Sequence, residues 1–260
     1  MDDPAADYAV LPTYKLGQFV KSQGLKVVLS GEGGDELFGG YGRYRRSLRP
    51  WWQGGRKMRA KGTMDGLDIL RDAIGWRGGM ETAERESARP GRTRLQMAQA
   101  TDCADWLPHD LLLKLDRCLM AHGVEGRTPM LDTKVAEFAM RLPDDLKIRD
   151  GQGKYLLRRW LATKLPEAEP FSKKRGFTVP VADWIGKRGR KIGTLVASQD
   201  SIRSMCKPDR VEDLFASLET KPDGHRGQAA WTLLFYALWH RRHIEGRGLD
   251  GDAFEALSQR

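Results

Sequence analysis

Apolar and polar positions alternate along this chain mainly with helical spacing. From Pro12 to Ser22, Leu16, Phe19 and Val20 recur as one face of a short amphipathic helix that ends at Gly24. Lys26-Val27-Val28-Leu29 then breaks the helical period. It is a β-branched run, apolar on both faces, as expected of a strand covered on two sides in a parallel sheet, and it leads straight into glycines. Beyond Tyr41 no second run reads as clearly as a strand. Helical patterns return over 106–121, 134–141, 154–164, 181–187 and 228–244, punctuated by Gly and Pro at Gly91, Pro129, Pro143, Gly151 to Gly153, Pro166, Pro170 and Pro222 to Gly224. The pattern therefore predicts an α/β segment followed by a mainly helical region. One strand cannot make a sheet, so either the chain has strands that the pattern does not show or it is missing strands.

Composition changes this picture little. A chain of 260 residues, 40% hydrophobic and 30% charged, is long enough for one large core or two modest ones. No stretch approaches the ~20 apolar residues of a membrane span, and Met1-Asp2-Asp3-Pro4 lacks the basic flank and apolar run of a secretory signal, so a cytoplasmic location is expected. Cys103, Cys118 and Cys206 are widely spaced without a C-x-x-C pair, which argues against a disulfide framework or a zinc site. The net charge of +9 is concentrated: residues 43–94 hold fourteen Lys or Arg against six Asp or Glu, with the remainder nearly neutral. Such a run reads first as a solvated insertion and second as a surface for phosphate or a partner; no nucleic-acid partner is expected. Trp51, Trp52 and Trp76 lie in it, as a lid or a partner surface.

The chemistry concentrates in Ser30-Gly31-Glu32-Gly33-Gly34-Asp35-Glu36-Leu37-Phe38-Gly39-Gly40-Tyr41. This loop follows the predicted strand, where open α/β sheets bind ligands. Its glycines permit positive φ and a close approach of peptide N–H groups to phosphate oxygens. Carboxylates beside such a loop repel phosphate unless a hard cation intervenes, which points to Mg²⁺ with Asp35 as ligand. In a purely structural reading Asp35 is a helix N-cap and Glu36 a favourable first-turn charge. The histidines His109, His122, His225, His240 and His243 show no metal spacing, and the last two belong to a helix with an expected core stripe of Trp231, Leu234, Phe235, Leu238 and Trp239.

The run from Val27 to Tyr41 resembles the second nucleotide-site motif of the glutamine-dependent asparagine synthetase family. The similarity extends through Asp116-Arg117, Gly123-Val124-Glu125-Gly126-Arg127-Thr128-Pro129-Met130-Leu131-Asp132, Arg141-Leu142-Pro143, Gly153-Lys154-Tyr155-Leu156-Leu157-Arg158 and Lys174-Arg175-Gly176-Phe177, over roughly residues 2 to 243. The resemblance implies an α/β fold: an incomplete adenine-nucleotide alpha-hydrolase-like (PP-loop) parallel sheet over residues 1–45, a basic variable insertion over 46–100, and a mainly helical C-terminal region over 101–250. It implies ATP and Mg²⁺ as cofactors, aspartate or another carboxylate and ammonia as substrates, and formation of an acyl-adenylate that ammonia converts to an amide.

Residue by residue, the resemblance carries ATP contacts to Ser30, Gly31, Gly33 and Gly34, and a role in making and breaking the acyl-adenylate to Glu32. Lys154 matches the family lysine near the reacting centre; a lysine at a helix N-terminus is mildly anomalous on structural grounds, which favours a functional reading. Arg127 and Asp132 are candidates either for catalysis or, as the favoured reading, for locking two helices through buried salt bridges, and Lys174 and Arg175 are expected to touch pyrophosphate. Full-length members begin, after Met removal, with a cysteine that hydrolyses glutamine, and they carry a Ser-Gly-Gly-x-Asp-Ser phosphate loop upstream. Residue 2 here is Asp2, and neither segment precedes Ser30. A truncated or split synthetase is therefore expected, with a possible partner chain supplying the missing loop and glutaminase. The alternatives are a catalytically silent remnant or interaction module, or a family member acting on another substrate.

Overall fold

The computed structural model describes residues 1–72, 75–172 and 179–259, and the chain divides into two compact units. The first holds residues 13–60 and 76–176, the second residues 1–12, 61–75 and 177–260.

In the first unit, helix α1 (Val10–Ser22) ends at Gly24, whose φ of +73° closes the helix as predicted. Its buried face shares only Val20 with the expected one. Thr13, Gly17 and Val20 face inward, whereas Leu16 and Phe19 are exposed. Gly17 makes this packing possible, since a Cβ there would come within 3.0 Å of the His122 ring and 3.1 Å of the Cys118 carbonyl.

Strand β1 (Val27–Leu29) forms where predicted and pairs in parallel with β2 (Glu125–Arg127), in the register Val27↔Glu125, Val28↔Gly126, Leu29↔Arg127. The partner is one of the hidden strands: Glu125-Gly126-Arg127 carries no apolar signal. Gly126 is required by the packing, because a Cβ there would lie 2.7 Å from Leu119. Coverage on both faces, however, is not found. Val28 packs against Val20, Leu115, Leu119 and Val124, while Val27 is 39% and Leu29 75% exposed.

After β1 come α2 (Gly34–Leu37), α3 (Gly42–Leu48), α4 (Gly78–Ser87) and α5 (Arg94–Ala104). A reciprocal capping box starts α5, with Thr93 Oγ1 accepting from the Gln96 N–H and the Gln96 side chain accepting from the Thr93 N–H. The predicted helix over 106–121 is a wide π turn (Leu107–Leu112) running into α6 (Leu113–Met120). Helix α7 (Thr133–Arg141) and the short α8 (Asp144–Lys147) lead to the second hidden pairing, an antiparallel hairpin of β3 (Ile148–Arg149) and β4 (Gln152–Gly153). Asp150 and Gly151 both have positive φ at its turn, as a two-residue hairpin loop demands. The hairpin delivers the chain to α9 (Tyr155–Lys164), matching the helical pattern over 154–164. Leu37, Phe38, Ala139 and Leu142 form the core between α2 and α7, and Tyr44, Met58, Met80, Leu95 and Ala98 a second cluster around α3 and α5.

The second unit is helical: α10 (Val181–Gly186), α11 (Gly189–Ser198), α12 (Asp200–Arg203), α13 (Pro208–Thr220), α14 (Gly224–His243) and α15 (Ala253–Ser258). Helices α11 and α13 approach closely because Gly189 and Gly193 leave room for Phe215. The α14 core face is lined by Ala229, Ala230, Leu233, Leu234 and Ala237; of the predicted stripe only Leu234 is fully buried, and Trp231, Phe235, Leu238 and Trp239 sit half-buried at its margins. Among the described residues no helix is long and apolar enough to cross a membrane.

Candidate functional site

The Ser30–Tyr41 loop begins where β1 ends. The Ser30 N–H donates to the Arg127 carbonyl at 2.7 Å, extending the ladder by one bond, and Ser30 Oγ accepts the Glu32 N–H at 3.3 Å. The chain then turns at Gly33, which has φ +84° and serves as the N-cap of α2. Only glycine fits there, since a Cβ would lie 2.1 Å from Leu131 Cδ2. Asp35 is thus not the N-cap of the structural reading; it lies within the first turn.

Asp35 and Glu36, adjacent in sequence, leave α2 in different directions, one toward partly exposed space and one into the interior. Asp35 Oδ2 forms an ion pair with Lys154 Nζ at 3.0 Å, both side chains partly exposed. Gly40 makes space for this carboxylate, because a Cβ at Gly40 would come within 1.9 Å of Asp35 Oδ1 and 2.6 Å of Lys154 Cε. Lys154 itself has φ +57° as the N-cap of α9, and its N–H donates to the Phe38 carbonyl at 3.0 Å. Gly153 lies so close to Gly39 that a Cβ would be 2.3 Å from the Gly39 oxygen. A lysine far along the chain is therefore anchored at its backbone as well as its tip against the glycine loop. Glu32 and Ser30 are half-buried and Gly31 exposed, while Gly33 and Gly34 are buried; a Cβ on Gly34 would sit 3.6 Å from Lys154 Nζ.

Glu36 turns inward and is wholly buried, with Tyr41 Oη donating to its Oε1 at 2.6 Å. Burial raises its pKa, and the Tyr41 hydrogen bond opposes that rise. Glu36 does lie in the first turn of α2, as in the structural reading, but as a buried group. Behind it, Gln99 on α5 donates to the carbonyls of Glu36 and Leu37 at 2.6 and 2.7 Å, and accepts from buried Lys147 Nζ at 2.9 Å. Burial pulls the Lys147 ammonium down to about 8. Asp102, one turn further along α5, is 1% exposed and takes Arg43 Nη2 at 2.6 Å on one oxygen and Arg59 Nη2 at 2.8 Å on the other. The Arg43 guanidinium also lies 3.6 Å over the Tyr41 ring.

This network was not read from the sequence. Gln99 and Asp102 sit in an unremarked polar helix, and Lys147 carries only a weak signal, a lysine between Leu146 and Ile148. Arg43 and Arg59 belong to the basic run, yet they serve the floor of the acidic loop. Arg127 and Asp132 also depart from expectation. Arg127 is exposed and pairs with Glu125 at 2.9 Å, while Asp132 caps α7 by accepting the Lys134 N–H at 2.9 Å, so no buried salt bridge joins them. Lys174 and Arg175, with Gly176-Phe177, lie outside the described residues.

Among the described residues no cluster of three His, Cys, Asp or Glu side chains is poised for a metal. The carboxylates beside the glycines are the half-buried Asp35 and Glu32, a sparse oxygen set of the kind Mg²⁺ uses only where phosphate and water supply its other ligands. In the second unit His240 Nδ1 lies 3.1 Å from Glu245 Oε1 and His243 stacks on Trp239.

Comparison with known proteins converges on one family. The asparagine synthase family model matches residues 1–241. The chain is 31% identical to glutamine-hydrolyzing asparagine synthetase 1 of Bacillus subtilis, over 95% of this chain and 45% of that protein. It is 29% identical to a putative glutamine-hydrolyzing asparagine synthetase of Mycobacterium bovis, over 94% of the chain and 43% of the relative, and 27% identical to asparagine synthetase B of Escherichia coli over 68% of the chain. The chain thus spans less than half the length of these relatives. With an α/β architecture and the acidic glycine loop held against Lys154, this chain belongs to the asparagine synthase family.

Proposed function

We propose that this chain supplies one wall of an ATP site for amide formation, in which a carboxylate, aspartate in the parent activity, is adenylated and then aminated by ammonia. The observation that carries the reading is the convergence of Asp35 and Lys154 at 3.0 Å on the open side of the glycine loop. In the first step a substrate carboxylate oxygen bonds to the α-phosphorus and the bond to the leaving pyrophosphate breaks. Lys154 offers a fixed cation for the charge that develops there, the kind of preorganised electrostatic help that dominates many catalytic sites. In the second step ammonia adds to the acyl carbon, AMP leaves with the bonding electrons, and nitrogen sheds a proton. Glu32, half-buried two residues after Ser30, is the carboxylate assigned here to accept it. Ser30, Gly31, Gly33 and Gly34 provide the close backbone approach for nucleotide. Asp35 would hold Mg²⁺, which when bound neutralises phosphate charge.

The β1–β2 pair supports the further reading that a PP-loop sheet is completed by strands from elsewhere. Parallel sheets are normally buried on both faces, yet among the described residues this one has two strands and leaves Val27 and Leu29 exposed. Lys26 and Ser30 direct their peptide groups toward β2, so alternation aims those of Val27 and Leu29 at the other edge. An upstream segment or partner chain that pairs there would bring the remaining phosphate-binding groups.

Pyrophosphate release from Mg-ATP, aspartate and ammonia tests this. The chain by itself is expected to show none above background, and to gain activity when combined with a polypeptide carrying the sheet-completing strands, in a manner abolished by Lys154→Ala. Robust turnover by the lone chain would sink the split-site reading. Full activity of Lys154→Ala in the completed system would sink the assignment of Lys154.

A further inference from the structure

The region around α3 and α5 carries a second concavity that the reading above does not use. It is a cleft of about 700 Å³, walled on one side by the Arg49–Met58 segment and on the other by α5. Its size is that of a small-molecule site. Arg49, Arg56, Lys57 and Arg94 line it, and none of the four is ion-paired among the described residues. The one carboxylate in the lining, Glu84, is already held through both oxygens by Arg77 Nη2 at 3.1 and 3.2 Å. The cleft is therefore strongly positive.

Its floor is apolar, formed by Met58, Met97 and Ala98. At its rim stand Trp51 and Trp52, 81% and 68% exposed, with ring centroids 6.0 Å apart and planes at 89°. The turn that displays them is closely built. Gln53 and Gly55 both donate to the Pro50 carbonyl at 3.0 Å, Gly54 has φ +75°, and a Cβ on Gly55 would strike the Arg49 carbonyl at 2.0 Å. Two adjacent indoles held out to solvent beside unpaired cations mark a recognition surface rather than a solvated loop. Flat aromatic faces suit a planar ring, and guanidinium and ammonium groups suit phosphate oxygens.

We propose that this cleft binds a nucleoside phosphate, its base stacked on Trp51 or Trp52 and its phosphates on Arg49, Arg56, Lys57 and Arg94, at a site separate from the Ser30–Tyr41 loop. The proposal does not depend on the assignment of that loop. It is tested by calorimetric titration of the full chain in a Lys154→Ala background with ADP, tripolyphosphate, adenosine and a single-stranded decanucleotide as probes. ADP is expected to bind at one site, at least tenfold more tightly than tripolyphosphate or adenosine. Arg49→Glu with Arg56→Glu should weaken ADP at least tenfold. Trp51→Ala with Trp52→Ala should weaken ADP but leave tripolyphosphate unchanged, with the fold verified by circular dichroism. Unchanged ADP affinity in either double variant overturns the site. Equal binding of tripolyphosphate and ADP overturns the nucleoside part, and decanucleotide binding more than tenfold tighter than ADP overturns the small ligand in favour of a nucleic-acid strand.

Discussion

The two sides of α2 differ in almost every physical respect although one short motif supplies both. On the inner side, Glu36, Tyr41, Gln99 and Lys147 are joined by hydrogen bonds of 2.6 to 2.9 Å, and Asp102 gathers two arginines in the same part of the unit. On the outer side, Asp35 and Lys154 meet across partly exposed space beside glycines that keep the backbone bare. The contrast teaches that acidic character alone does not mark a ligand residue. Asp35 stays partly exposed and paired with Lys154, while Glu36, its neighbour, is buried beneath the loop and bonded to Tyr41.

Breaking the inner side should cost stability first. Asp102→Ala leaves the Arg43 and Arg59 guanidiniums without their shared carboxylate, and loss of one partner from a buried ion pair costs about 3–5 kcal/mol. Urea denaturation followed by circular dichroism should show that loss; a change under about 1 kcal/mol would mean the network contributes little. Gln99→Ala should follow at about 2–3 kcal/mol, since two carbonyls and the buried Lys147 ammonium each lose a partner.

Titration sharpens the same contrast. Glu36 has a folded pKa above its ordinary 4.5, so the folded state holds that proton more tightly and the associated stability is present below pH 4.5 and lost as pH rises. The stability of wild type minus that of Glu36→Gln should accordingly shrink on going from pH 4 to neutrality. Lys147 behaves in the opposite sense. Its folded pKa of about 8 lies below the ordinary 10.5, so the fold releases the proton first, and wild type minus Lys147→Met should grow as pH rises from about 8 toward 10.5. Flat difference curves would contradict the burial described. The smallest stability effect is expected on the outer side, where Lys154→Ala removes a partly exposed pair worth about 1 kcal/mol or less.

This asymmetry also explains what could be read from the sequence. Strand β1, the glycine turn and the helical patterns over 134–141 and 154–164 were legible because local periodicity and glycine placement report local structure directly. Strand β2 was not, because Glu125-Gly126-Arg127 pairs through its backbone and offers a glycine to Leu119 where an apolar residue would announce a strand. The core faces of α1 and α14 were misjudged for a related reason: small residues, Gly17 in one and Ala230 and Ala237 in the other, hold the close contacts while Phe19 and Trp231 remain outside or at the margin. The glycines and carboxylates of the site were visible, and so was Lys154 through the family resemblance. The partition of Asp35 from Glu36 was not, since it depends on Gln99, Lys147 and the basic residues Arg43 and Arg59, whose partners lie far away in sequence.

The measurement that tests the central claim most directly is calorimetric titration of Mg-ATP into Lys154→Ala, Asp35→Ala and the chain that is wild type at both positions, all three carrying Arg49→Glu with Arg56→Glu to silence the cleft beside α5, with thermal unfolding recorded on the same samples. If the outer side of the loop is the nucleotide wall, both variants keep a melting temperature close to that of the chain that retains Asp35 and Lys154 and bind Mg-ATP at least tenfold more weakly. Mg-ATP binding with undiminished affinity in folded Lys154→Ala would contradict the account.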